Sequence, residues 1–172
     1  MFVPASGQAG TFAKQFVERG LDKVGIKLIG PGDITDDDDL PGMSDAMLGV
    51  VTAGHYSAYH QSAMNKKYVE DFKSAYNLRP NFMSVGGWDG MHAIYEALKK
   101  TGGRNDGDSL IEAMKGMSWE SPRGPISIDP QTRDIVQNIY IRKVEKKNGE
   151  LYNVEFATVD AVKDPGKAAA QK

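Results

Sequence analysis

With 172 residues, 40% hydrophobic and 26% charged, the chain is long enough for one ordinary domain or part of a larger one, and its composition is globular. A net charge of −2, with Arg142-Lys143 and Lys146-Lys147 as the only basic cluster, argues against nucleic acid as a partner. The absence of cysteine excludes disulfides, thiolate metal sites and a cysteine nucleophile, and no run of about 18 apolar residues exists to span a bilayer.

Met1 to Pro4 read as a short buried strand, stopped at Pro4, which has no N–H for a ladder. Ala5, Ser6 and Gly7 form a small-residue turn into an amphipathic helix carrying Phe12, Phe16 and Val17, with Gly20 at its C-terminal stop. Val24–Ile29 alternates as a second strand, completing a strand–helix–strand unit. Gly30-Pro31-Gly32 ends that strand, and an acidic loop runs from Asp33 to Asp39. A helical turn follows around Ser44 to Met47, then a third strand over Leu48–Thr52 and a loop to His60. Because the chain opens directly on a core-like strand, a fragment or a processed product is expected.

Helices are predicted over Met64–Tyr76, with Tyr68, Val69, Phe72, Ala75 and Tyr76 as the apolar stripe, and over Val85–Thr101, with Met91, Ile94, Tyr95 and Leu98. A further helix covers Ser109–Met117 behind the cap at Asp106 to Asp108. The character then changes to strands: Ile126–Ile128, Ile135–Val144 and Leu151–Phe156, with Lys147-Asn148-Gly149 as a hairpin turn. The tail from Val162 reads as frayed. An α/β first half with few strands for its helices, followed by an antiparallel ribbon, is awkward for a self-contained domain.

Several residues invite a chemical reading. Ser6 lacks the Gly-x-Ser-x-Gly elbow of a nucleophile, so a ligand hydrogen bond or plain turn chemistry suits it better. Asp36 to Asp39 lack the spacing of a calcium loop and read as a solvated, capping run. His55, His60 and His92 form no metal motif and read as ordinary surface or partly buried residues. Trp88 is equally a core residue or a pocket wall, and Trp119 reads as loop packing near Pro122. No metal, cofactor or catalytic constellation is indicated, so the chain is not read as an enzyme.

The blocks Phe2-Val-Pro-Ala-Ser-Gly-Gln-Ala-Gly10, Gly30-Pro-Gly32 and Leu48-Gly-Val-Val-Thr-Ala-Gly-His-Tyr-Ser57 recur in order with Asn65-Lys-Lys-Tyr-Val-Glu-Asp-Phe72, Trp88-Asp-Gly-Met-His-Ala-Ile-Tyr-Glu-Ala-Leu98 and Arg123-Gly-Pro-Ile-Ser-Ile-Asp129. Together they resemble the carboxyl-terminal part of type I periplasmic solute-binding proteins of ABC importers, in the branched-chain amino-acid (Leu/Ile/Val) group. The resemblance implies an α/β fold of two Rossmann-like lobes closing on ligand, of which this chain holds mostly the second. Residues 1–82 would be second-lobe segment, 83–120 helices crossing to the first lobe, 121–160 hinge and ribbon, and 161–172 tail.

By the same resemblance, ligand contacts fall on Ala5, Ser6 and Gly7, on Gly32, Asp33 and Thr35, and on Trp88. Tyr56, at the end of the third strand, is a further candidate wall. In amino-acid binders of the group an acid in the second of these stretches receives the ligand's ammonium. Gly32 stands there, with Asp33 beside it. The expected ligand is therefore an aromatic or branched-chain carboxylate first and a branched-chain amino acid second. The implied function is non-catalytic capture in the periplasm for an importer permease, with an amino-terminal lobe completing the site. A ligand-sensing regulatory domain on the same fold is the alternative, and the isolated chain is expected to self-associate.

Overall fold

The computed structural model describes residues 8–170, so the expected strand at Met1–Pro4 and the turn at Ala5, Ser6 and Gly7 lie outside the described residues. Helix α1, Gln8–Glu18, buries Ala9, Ala13 and Phe16 along one face. Gly20, at φ 70°, occupies the left-handed conformation that ends it.

The expected strand over Val24–Ile29 is corrected. Asp22–Val24 form a 3-10 turn closed by left-handed Gly25, and the ladder of β1 occupies only Ile29–Pro31. The next strand is displaced in the same direction. Gly49 sits at φ 82°, and β2 covers Val51–Gly54 instead of Leu48–Thr52. Strands β1 and β2 pair in parallel, Ile29 opposite Val51. Between them run 3-10 turns at Gly32–Thr35, Leu40–Gly42 and Asp45–Met47, the last capped by Ser44.

Helices α2, Ala63–Tyr76, α3, Phe82–Lys100, and α4, Gly107–Met114, follow. Each starts on a side chain that accepts a backbone N–H: Ser62, Asn81 in a reciprocal capping box with Ser84, and Asp106. On α2 the expected stripe is only partly covered, since Tyr68, Val69 and Phe72 are half-buried while Ala75 and Tyr76 are exposed. The buried face of α3 also differs from its expected stripe. Val85, Asp89, Ala93 and Ala97 are buried, while Met91, Ile94 and Tyr95 are exposed.

Strands β3, Ser118–Ser121, β4, Gly124–Ile128, β5, Ile135–Lys147, and β6, Glu150–Val162, complete the sheet, and α5, Pro165–Ala170, forms where a frayed tail was expected. β5 is the spine. Its length pairs antiparallel with β6 on one side, while β2 and β4 share the other. Asn148 and Gly149, both at positive φ, make the tight β5–β6 turn. Pairing along β5–β6 is interrupted twice, between Ile141 and Arg142 and between Gln137 and Ile139.

Two apolar clusters flank the end of the parallel pair. Ala13, Leu40, Met47, Val50, Val144 and Leu151 form one. Tyr56, Ala58 and Val85 form the other, joined by Tyr68, Val69 and Phe82.

Candidate functional site

Ligands of open α/β sheets bind outside the carboxyl ends of parallel strands. Here the chain leaves β1 through Gly32 and Asp33, and leaves β2 through His55 and Tyr56. A cleft of about 240 Å³ opens between those two exits. Phe82 at the start of α3 and Ile139 on β5 add apolar walls, and Asp36, Asp37 and Arg142 add charge.

Arg142 sets the geometry of the floor. It is buried at an inward position of β5 between Tyr140 and Val144. Its guanidinium donates to the carbonyl of Tyr56 and, at 3.1 Å, to Thr52 Oγ1, both neutral acceptors, and its Nε has no partner among the described residues. Burial lowers its pKa, against the pull of Asp37 and other carboxylates. The two strand exits admit this group because both carry glycine. A Cβ on Gly32 would stand 2.6 Å from Arg142 Nη2 and 3.2 Å from the carbonyl of Ala53, and one on Gly54 would stand 2.9 Å from Nη2.

Asp38 and Asp39 of the acidic run are exposed, as its composition implied, whereas Asp36 is half-buried and Asp37 lies inside. Asp37 is buried, accepting the Ala58 N–H at 3.2 Å and Asn153 Nδ2 at 3.2 Å, and burial pushes its carboxyl up to about 6 although Arg142 pulls it down. Asp36 is raised to about 7, first by burial and then by the neighbouring charge of Asp38. His55 is half-buried edge-on to Phe82, at 6.0 Å between ring centroids. Burial, aided by the cations Arg123 and Arg142, lowers it to about 4, so the ring is neutral at pH 7.

The structure brings Gly32, Asp33 and Tyr56 together around this cleft. Tyr56 is almost wholly buried, with its hydroxyl donating to Asn65 Oδ1 at 3.2 Å. Thr35 lies behind the wall. Its hydroxyl is 3.2 Å from that of Thr52, and its carbonyl accepts Asn153 Nδ2 at 2.7 Å. Trp88 does not line the cleft: its ring stacks on His92 at 5.2 Å, which in turn faces Trp119 at 5.3 Å. Trp119 is on β3 instead of in a loop, and its indole N–H donates to Asp89 Oδ1 at 3.0 Å. Ala5, Ser6 and Gly7 lie outside the described residues.

Arg142, Phe82 and Ile139 are not singled out as site residues by the sequence, in which Asp37 reads as part of a solvated run and His55 as an ordinary residue. For Arg142 a signal was present, a cation at an inward position between Tyr140 and Val144 on an alternating strand. Among the described residues no cluster of three or more His, Asp or Glu side chains is arranged to hold a metal, and no helix is long and apolar enough to cross a membrane.

The family model described as periplasmic binding protein matches residues 1–150. The chain belongs to that family. Among solved structures of this kind, a solute-binding protein of an ABC transporter from Rhodopseudomonas palustris BisB5, in complex with 3,4-dihydroxybenzoic acid, is 73% identical with a TM-score of 0.89, over 96% of this chain and 46% of that one. A second, from R. palustris HaA2 with p-hydroxybenzoic acid, is 39% identical with a TM-score of 0.87, over 98% of this chain and 46% of that one. Leu/Ile/Val-binding protein homolog 6 of Brucella abortus (strain 2308) is 45% identical over 98% of this chain, which spans 44% of that relative's length. The mixed α/β architecture with an open sheet is thus that of solute-binding family members, and the chain spans less than half of each of these relatives.

Proposed function

We propose that the chain is the second-lobe portion of a periplasmic solute-binding protein that captures a small aromatic acid, without catalysis, and delivers it to an ABC importer permease. Residues 1–82 would belong to the second lobe, 83–120 would cross to the first lobe and 121–160 would return through the hinge, with 161–172 as tail. An amino-terminal lobe would close over the cleft between the exits of β1 and β2, ligand contacts favouring the closed arrangement. Gly32, Asp33 and Tyr56 would line the ligand from this side, with Ala5, Ser6 and Gly7 at the adjoining turn. Thr35 would brace the wall, and Trp88 would act at the crossing helices.

One observation carries the choice of an acid over an amino acid. The position that would present an acid to an α-ammonium is Gly32, and a side chain there would collide with the buried Arg142 guanidinium. Gly32 leaves that position without an acid, and the buried Arg142 directly behind it, bonded to neutral acceptors, disfavours an ammonium there. The relatives with 3,4-dihydroxybenzoic and p-hydroxybenzoic acid support the same direction. The Leu/Ile/Val-binding homologue supports branched-chain amino acids as the second reading.

Calorimetric titration tests the order, using this chain completed with the remaining portion of the R. palustris BisB5 relative. The acid 3,4-dihydroxybenzoate is expected to bind and leucine is not. Loss of one charge-assisted hydrogen bond to a buried ammonium costs about 1.5–3 kcal/mol, more than tenfold in affinity. Tight leucine binding that Asp33→Asn abolishes would reverse the order.

A further inference from the structure

Two polar groups of the cleft are not engaged by the fold. Asp36 accepts the Asp37 N–H, and Asp37 is held by Ala58 and Asn153. By contrast, the Asp33 carboxylate and the His55 ring have no side-chain hydrogen bond among the described residues, although both line the same cleft. His55 lies edge-on to Phe82, and its ring is neutral at pH 7 because burial and two nearby arginines disfavour a second proton. A neutral imidazole offers one N–H and one bare nitrogen, while a carboxylate only accepts.

This combination discriminates among the ends a ligand could present. A carboxylate pressed against Asp33 would meet a like charge with few donors. An ammonium would find Asp33 but would also face the buried Arg142 behind Gly32. A hydroxyl both donates and accepts, so one ring hydroxyl can give its proton to Asp33 and take the His55 N–H. Phe82 and Ile139 supply the apolar surface for a flat ring.

We propose, resting on the aromatic-acid reading above, that this cleft receives the hydroxyl-bearing edge of the ligand's ring, with His55 and Asp33 as its donor–acceptor pair. The carboxylate then points away, toward the opposite lobe. His55 and Asp33 thereby set the preference among ring-substituted acids.

The test compares 3,4-dihydroxybenzoate, 4-hydroxybenzoate and benzoate on the completed protein and on His55→Phe, His55→Gln and Asp33→Asn variants. The unsubstituted protein is expected to prefer 3,4-dihydroxybenzoate over benzoate by about tenfold or more, the weight of one hydrogen bond to a charged group. His55→Phe and Asp33→Asn should weaken 3,4-dihydroxybenzoate more than benzoate and cut that preference to about threefold or less, and His55→Gln, which keeps a donor and an acceptor, should retain part of it. Variants that keep the full preference overturn the proposal, as do variants that weaken all three acids equally. If the unsubstituted protein binds leucine and none of the acids, the aromatic-acid reading itself fails and this inference falls with it.

Discussion

Asp89 on α3 and Arg123, in the turn between β3 and β4, meet at 2.6 Å with side chains 5% and 8% exposed. Asp89 also accepts the Trp119 indole N–H, and the Arg123 guanidinium reaches Gln137 on β5. One carboxylate thus ties a helix to β3 directly and, through Arg123, to β5. Removing one member of a buried pair leaves an uncompensated charge and costs about 3–5 kcal/mol. Asp89→Ala is expected to destabilise the chain by that order in urea unfolding. Asp89→Met combined with Arg123→Leu should cost clearly less than the two single changes added together, and strict additivity would refute the coupling.

Asn65 is the hub of the loop that delivers His55 and Tyr56. Its Nδ2 lies 3.3, 3.2 and 3.0 Å from the carbonyls of Ser57, Ala58 and His60, and its Oδ1 accepts the Tyr56 hydroxyl. Each such bond contributes about 0.5–1.5 kcal/mol net, and unsatisfied buried carbonyls add to the cost. Asn65→Ala should lower stability by about 2–4 kcal/mol and speed amide exchange selectively over residues 55–60. Uniform acceleration across the whole chain would assign Asn65 a merely global role.

Asp37 makes stability depend on pH. Its folded pKa of about 6 lies above the ordinary aspartate value of about 3.9, so the folded state holds the proton more tightly than the unfolded chain does. The stabilisation from protonation is fully present below about pH 4 and is lost as pH rises through about 6. It is of the order of 2–3 kcal/mol. Urea unfolding from pH 4 to 7 should show this decline, and Asp37→Asn should reduce its slope below pH 6, with Asp36, raised to about 7, still contributing across the same range. Parallel curves for the two proteins would rule the assignment out.

Along α3, Met91, Ile94 and Tyr95 are 46%, 38% and 57% exposed. Contiguous apolar surface of this kind promotes association. Light scattering of the 172-residue chain is expected to show concentration-dependent self-association, reduced by the triple change Met91→Lys, Ile94→Glu and Tyr95→Lys. Thermal unfolding should move little, because exposed substitutions usually fall within about 0.5 kcal/mol each. Association untouched by the triple change would point to another surface.

The parts of the fold legible in the sequence are those decided locally. Ser62, Asn81 and Asp106 cap α2, α3 and α4 near where the pattern placed their starts, and Asn148-Gly149 fixed the hairpin. The site was only half legible. Tyr56 follows from a strand end, and Gly32 and Asp33 from the family resemblance, but Asp37 read as solvated because its partner Asn153 lies 116 residues away. Val24–Ile29 misled for the opposite reason. Its alternation is real, yet left-handed Gly25 interrupts it, and the parallel partner begins only at Val51 opposite Ile29. Trp119 could not be placed without knowing that Asp89 would arrive from α3.

The two interruptions along β5–β6 leave surplus residues in the ribbon. Arg142 faces Glu155 but Ile141 faces Ala157, so Phe156 has no partner, and between Val159 and Val162 the chain again advances one residue further than β5. Beside the second irregularity, Ala161 sits at φ 50° with its N–H on Asn138 Oδ1. A deletion elsewhere in β6 would turn every later side chain to the opposite face. Deleting Phe156 would instead straighten the ribbon while keeping Glu155 against His60 and Thr158 against Tyr140. The length of this strand is therefore adjustable at its irregularities and fixed everywhere else.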